Sequence, residues 1–124
     1  MACPDGVPHG VPLNFAFAGD SIYFHCAPEG RKIEILSANT RVSFCVVGRT
    51  QVLPAKFSTE YESAIATGSV EELSAEEKRQ ALVLLVRKYS PDCIKEGLEY
   101  IDKRIDKTKV FRIRLESITG KAHK

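Results

Sequence analysis

Apolar residues alternate with polar or small ones along several short stretches of this sequence. That two-residue period constrains the fold more than any other feature. Val11, Leu13, Phe15 and Phe17 fall on one face of a segment from His9 to Phe17, with Pro12, Asn14 and Ala16 on the other. Successive strand side chains point to opposite faces, so the pattern predicts a half-buried strand. Ala18-Gly19-Asp20-Ser21 has turn chemistry, and Ile22, Phe24 and Cys26 resume the alternation, which predicts a hairpin with Tyr23 and His25 on its second face. Val42, Phe44 and Val46 mark a third strand, and a fourth is expected over Thr59 to Val70, with Gly68 as a bulge or close-approach point. Phe111, Ile113 and Leu115 mark the last strand, while Gly48 to Phe57, polar and containing Pro54, reads as a loop.

Three helices interrupt this pattern. Pro28 and Glu29 suit a helix entrance, Ile33 and Leu36 give an apolar stripe, and Asn39 suits the C-terminal cap. Ser74-Ala75-Glu76-Glu77 has the form of a capping box and opens a helix bearing Ala81, Leu82, Leu85 and Val86, which ends by Ser90-Pro91. Ile94, Leu98, Ile101 and Ile105 form one stripe on the third. The resulting order is strand, strand, helix, strand, strand, helix, helix, strand. It predicts a mainly β protein whose antiparallel sheet curls into a small barrel with helices outside. Helices do not alternate regularly with strands, which argues against a doubly wound parallel sheet.

Length and charge then narrow the function classes. A chain of 124 residues suits one domain. Its longest apolar run, Ala81 to Val86, is far short of the ~20 residues of a membrane span. The start, Met-Ala-Cys-Pro-Asp-Gly, lacks the features of a secretory signal, so a cytoplasmic protein is expected. Eighteen Lys and Arg against sixteen Asp and Glu give too weak a field for a dedicated nucleic-acid binder. The basic residues near Lys103 to Lys109 and Lys121 to Lys124 read as a solvated helix face and a frayed tail. Cys3, Cys26, Cys45 and Cys93 have no metal-site or redox spacing. Cys26 and Cys45, inside strand patterns, are expected as small buried hydrophobes.

Chemistry concentrates between Phe24 and Lys32. A strand ending at His25 is followed by a short turn, and Arg31 and Lys32 then fall in the first turn of a helix. Cations there oppose the helix dipole, whereas a bound phosphate would use both charges and the free N–H groups beside Gly30. Two solvated surface cations are the other reading of the same residues.

The blocks Val11-Pro12-Leu13-Asn14-Phe15, Ile22 to Ala27, Gly30-Arg31-Lys32-Ile33 and Phe57 to Ser63 occur in order. With the ending Ile105-Asp106-Lys107-Thr108 to Ile118-Thr119-Gly120-Lys121, they resemble the nitroimidazole-resistance branch of the pyridoxamine 5'-phosphate oxidase-like, FMN-binding split-barrel superfamily. The resemblance implies a split β-barrel of antiparallel Greek-key type, forming a homodimer with FMN at the interface. It implies one domain over residues 1–124 that lacks the usual N-terminal helix and most of the first strand, with Met1-Ala2-Cys3 as its remnant. Pro12, Leu13 and Asn14 would lie beside the flavin ring, and His25 and Cys26 at the strand end near it. Arg31 and Lys32 would hold the phosphate, and Glu62 and Ser63 would approach from the partner subunit. His25 would be the catalytic residue, donating a hydrogen bond or a proton during reduction. The residues alone also fit a structural His bonded to backbone, a solvent-facing Asn14 and a rim charge at Glu62.

The function implied is an FMN-dependent oxidoreductase that reduces a small acceptor such as a nitroimidazole. No GxGxxG motif marks a nicotinamide site, so the electron donor would bind transiently over the flavin. A non-catalytic flavin or small-ligand carrier is the alternative. An interaction module, which predicts no flavin, is a third. A pyridoxamine-phosphate oxidase proper fits less well, since the cationic C-terminal extension of that enzyme is missing.

Overall fold

The computed structural model describes Met1 and residues 6–123. Eight main elements follow in the expected order: β1 (Ala16–Ala18), β2 (Ser21–Cys26), α1 (Arg31–Ala38), β3 (Arg41–Leu53), β4 (Ser58–Glu72), α2 (Ala75–Tyr89), α3 (Ile94–Arg104) and β5 (Lys109–His123). Short 3-10 turns follow β3 and flank α3. The strands form one antiparallel sheet in the order β1-β2-β5-β4-β3. The run β2-β5-β4-β3 has Greek-key order, with α2 and α3 inserted between β4 and β5.

Strand alternation separates two apolar clusters. Ile22, Phe24, Val70, Phe111 and Ile113 point to the side covered by Leu36 of α1, and Phe24 stacks on Phe111 at 5.4 Å between ring centroids. On the other side Ala16, Leu73 and Val110 meet Ala81, Leu82 and Leu85 of α2 and Ile101 of α3. The helices meet closely at Gly97, where a Cβ atom would lie 2.5 Å from Val86 Cγ1. Outside the core, Arg112 of β5 pairs with Glu71 of β4 and reaches Glu77 of α2 at 3.1 Å.

Several expectations are corrected. The first strand is not His9 to Phe17: ladder pairing starts at Ala16, and residues 11–15 belong to no ladder. Pro12 has no N–H to give, and the Phe15 N–H and C=O are both taken by the Tyr89 hydroxyl at 3.0 Å. For the same reason the ladder does not close into a barrel among the described residues. The two edges approach through side chains, with Phe15 and Phe44 of β3 edge to face at 5.0 Å. Alternation also breaks at Ala16, which is buried while Phe17 is exposed.

The expected loop from Gly48 to Phe57 is mostly strand. β3 runs to Leu53 past an irregularity between Val47 and Thr50, with Thr50, Gln51 and Val52 paired to Tyr61, Glu60 and Thr59. A ribbon wet on both faces needs no apolar alternation, which hid it. The basic end is no frayed tail, because Lys121 and His123 pair with Ser63 and Tyr61. Ser74 is at the N-cap of α2 but makes no side-chain cap, and the Glu77 carboxylate accepts from Arg112. Cys45 is exposed and Cys26 half-buried, against the expected burial. Of the proposed strand remnant, Ala2 and Cys3 lie outside the described residues, while the Met1 amino group donates to the His9 carbonyl at 3.0 Å and the Met1 carbonyl accepts from the His9 N–H at 2.8 Å.

Gly68 does mark a bulge: the β4–β5 register shifts between Thr67 and Gly68, and a Cβ atom there would lie 2.1 Å from the Arg114 carbonyl oxygen. Backbone cannot yield as a flexible side chain can. Gly68→Val should therefore lower unfolding free energy by about 2 kcal/mol or more in denaturant titration. Gly120→Ala, whose Cβ would meet the Ser63 carbonyl at an ordinary 3.8 Å, should stay close to wild type.

Candidate functional site

His25 is the fifth residue of β2, opposite Val110 of β5, and shares its face with Tyr23. This is the face covered by α2 and α3. Cys26, one residue on, turns to the opposite side and packs beside the Phe24–Phe111 cluster. One strand thus sends its terminal His and Cys to different environments.

The segment at residues 11–14 runs past the same strand end. Pro12, Leu13, Asn14 and His25 line one cleft of about 380 Å³. Among the described residues, the N–H and C=O groups of Leu13 and Asn14 have no hydrogen-bond partner. Pro12 and Leu13 also border a larger cleft of about 460 Å³, reached by Lys32 of α1 and lined by Phe15 and Phe44. Asn14 and His25 border a third hollow, of about 200 Å³, under α2 and α3. The segment from Pro12 to Asn14 is therefore a partition with space on both sides.

Its position is set from α2. Besides the two Tyr89 hydrogen bonds, Lys88 Nζ donates to the Phe15 carbonyl oxygen at 2.7 Å and sits 3.6 Å from the Phe15 ring centroid. Reading by periodicity missed this clamp, because Lys88 and Tyr89 lie at a helix end where exposed polar residues are ordinary. The only local sign was an aromatic beside a cation just before Ser90-Pro91.

Electrostatics favour a neutral His25. Partial burial and then the Lys32 cation hold its pKa below the ordinary 6.5. Burial pushes the Cys26 thiol up, partly countered by Lys32 and Lys109, so it stays protonated at neutral pH. Lys32 approaches the Phe24 ring at 6.0 Å. Gly30, with φ of 138°, is the N-cap of α1 and supplies no side-chain cap, so no capping side chain covers the helix start that carries Arg31 and Lys32.

The structure thus gathers Pro12, Leu13, Asn14 and His25 at one cleft, with Lys32 in the adjoining one. Arg31 is exposed beside it. Glu62 and Ser63 do not join them. They lie on the β3–β4–β5 ribbon, where Glu62 borders a separate hollow with Arg49 and Tyr61. As neighbours on a strand they face opposite ways. Ser63 shares its face with Val47, Cys45 and Ile65, which are exposed.

The lowered pKa sets a pH signature. Between that value and 6.5 the unfolded chain binds a proton that native His25 lacks, so stability should rise with pH through that interval. His25→Gln should flatten the rise in urea titrations. By NMR the His25 ring should titrate below 6.5, and Lys32→Met should move its midpoint upward.

Comparison with known proteins locates this arrangement. Residues 1–122 match the family described as pyridoxamine 5'-phosphate oxidase. A candidate 5-nitroimidazole antibiotic resistance protein from Bacteroides thetaiotaomicron is 32% identical in sequence, with a TM-score of 0.80 over 97% of this chain and 72% of that one. A FAD-binding protein from Mesorhizobium loti is 26% identical, with a TM-score of 0.67 over 99% of this chain and 83% of its own. An uncharacterized protein of Rhizobium meliloti is 27% identical over 97% of this chain and 80% of its own length.

Proposed function

The chain belongs to the pyridoxamine 5'-phosphate oxidase family, and from that premise we propose that it binds a flavin, FMN, in the cleft beside Pro12, Leu13, Asn14 and His25. The observation that carries this reading is the unpaired backbone of Leu13 and Asn14 facing a cleft that also receives His25. A flat heteroaromatic ring with alternating donors and acceptors along its edge satisfies such groups. The likeness to a FAD-binding protein supports the same cofactor class. A phosphate suits the start of α1, where Arg31 and Lys32 put two cations in the first turn at a helix N-terminus.

The flavin, when bound, would supply electron transfer to a small acceptor. The chain's own residues do the rest. The 12–14 segment holds the ring edge, Lys32 and Arg31 hold the phosphate, and His25, neutral at physiological pH, offers one hydrogen bond at the ring's rim. A nitro-aromatic acceptor is the reading that the resistance-protein likeness favours. A non-catalytic carrier would share all of this except turnover, so bleaching of the bound flavin by a reduced nicotinamide, followed by reoxidation with a nitroimidazole, separates the two.

The same reading completes the sheet. A second copy, laid on the exposed face that carries Cys45, Val47, Ser63 and Ile65, would bury apolar side chains now 60% and 45% exposed at Val47 and Ile65. It would bring Ser63 or Glu62 towards the partner's cleft and give the split-barrel homodimer. We place residues 1–124 in one such domain, at work in the cytoplasm. No helix among the described residues is long and apolar enough to cross a membrane.

Two measurements test this. Arg31→Ala with Lys32→Ala should weaken FMN binding about tenfold or more by fluorescence titration, since each removes a charge-assisted hydrogen bond, with little change in Tm. Unchanged affinity removes the phosphate assignment. Ile65→Glu should shift the sedimentation coefficient from dimer to monomer and release flavin with it.

A further inference from the structure

The hollow under α2 and α3 is a different size of site from the cleft beside it. Its volume, about 200 Å³, is near the roughly 150 Å³ that accommodates a benzene ring and well below the ~300 Å³ at which larger ligand pockets begin. A flavin does not fit there; one aromatic ring does. The walls are apolar, with Leu82, Leu85 and Val86 of α2 facing Ile101 of α3.

Its polar groups are equally selective. Arg104 is the single cation among the lining residues other than the titratable His25, and no carboxylate lines the space. The Arg104 guanidinium lies 5.5 Å from the Tyr100 ring centroid, so it is held over an aromatic face at the rim. Asn14 and His25 form the opposite wall and belong also to the adjoining cleft. A molecule in the hollow would therefore touch the two residues that border the proposed flavin.

We propose that this hollow is a binding site for a single-ring aromatic anion, its ring between α2 and α3 and its carboxylate on Arg104. The inference goes beyond the flavin reading: it adds a second ligand site, on the far side of the Asn14–His25 wall. Arg104 also has a plain structural use. It ends α3 with Lys103, where cations complement the helix dipole. Lys103 does not line the hollow, so it separates the two uses.

Isothermal titration of the protein with benzoate, with and without FMN, tests the proposal. Saturable binding is expected, tighter for benzoate than for benzyl alcohol. Arg104→Met should weaken it about tenfold or more, as loss of a charge-assisted hydrogen bond does, whereas Lys103→Met should leave it unchanged. Ile105→Phe, which grows a side chain into the hollow, should abolish it while FMN is still retained. Absence of saturable benzoate binding, equal affinity for benzyl alcohol, or equal effects of Arg104→Met and Lys103→Met would each overturn the site. FMN retention is read separately: no benzoate binding by the unsubstituted protein while it retains FMN refutes this site alone, and benzoate binding without FMN upholds it against a failed flavin reading.

Discussion

Phe15 is held by a helix rather than by a strand, and the site depends on that substitution. Tyr89 both donates to its carbonyl and accepts from its N–H, and Lys88 adds a third hydrogen bond and a cation over the ring. A ladder partner would have drawn residues 11–15 flat against the sheet edge and consumed the backbone of Leu13 and Asn14. Anchored at one residue instead, the segment stands off as a partition whose remaining polar groups stay available. The same anchor brings Phe15 against Phe44, so it also brings the two sheet edges together.

Most of the topology was legible because strands with one wet and one dry face carry a period that survives in a single sequence. β2 and the first half of β5 show it clearly, since Phe24, Phe111 and Ile113 must alternate with residues facing α2 and α3. Gly68 was legible for a related reason: an isolated glycine within a strand pattern marks a backbone contact. The second halves of β3 and β5 were not legible. Gln51, Glu60 and Lys121 are paired in a ribbon exposed on both faces, where no residue type is excluded.

The candidate site divides along the same line. His25 and Asn14 were marked by their place on a strand's second face, and Lys32 by its conflict with the helix dipole. The adjacent pairs His25–Cys26 and Glu62–Ser63 read as units in the sequence, yet strand geometry splits each between two faces. The Tyr89–Phe15 clamp joins residues far apart in the chain and rests on no local pattern. The hollow beneath α2 and α3 is likewise lined by residues from distant parts of the chain, Asn14 and His25 with Leu82 and Ile101.

The central claim is that this cleft holds a flavin. The visible absorption spectrum of the purified protein, taken after adding FMN and removing the excess, tests it most directly. The account predicts retained flavin bands, shifted and structured by an apolar wall, at a stoichiometry of one per chain. A spectrum without flavin bands, from protein that is folded by circular dichroism, would contradict it.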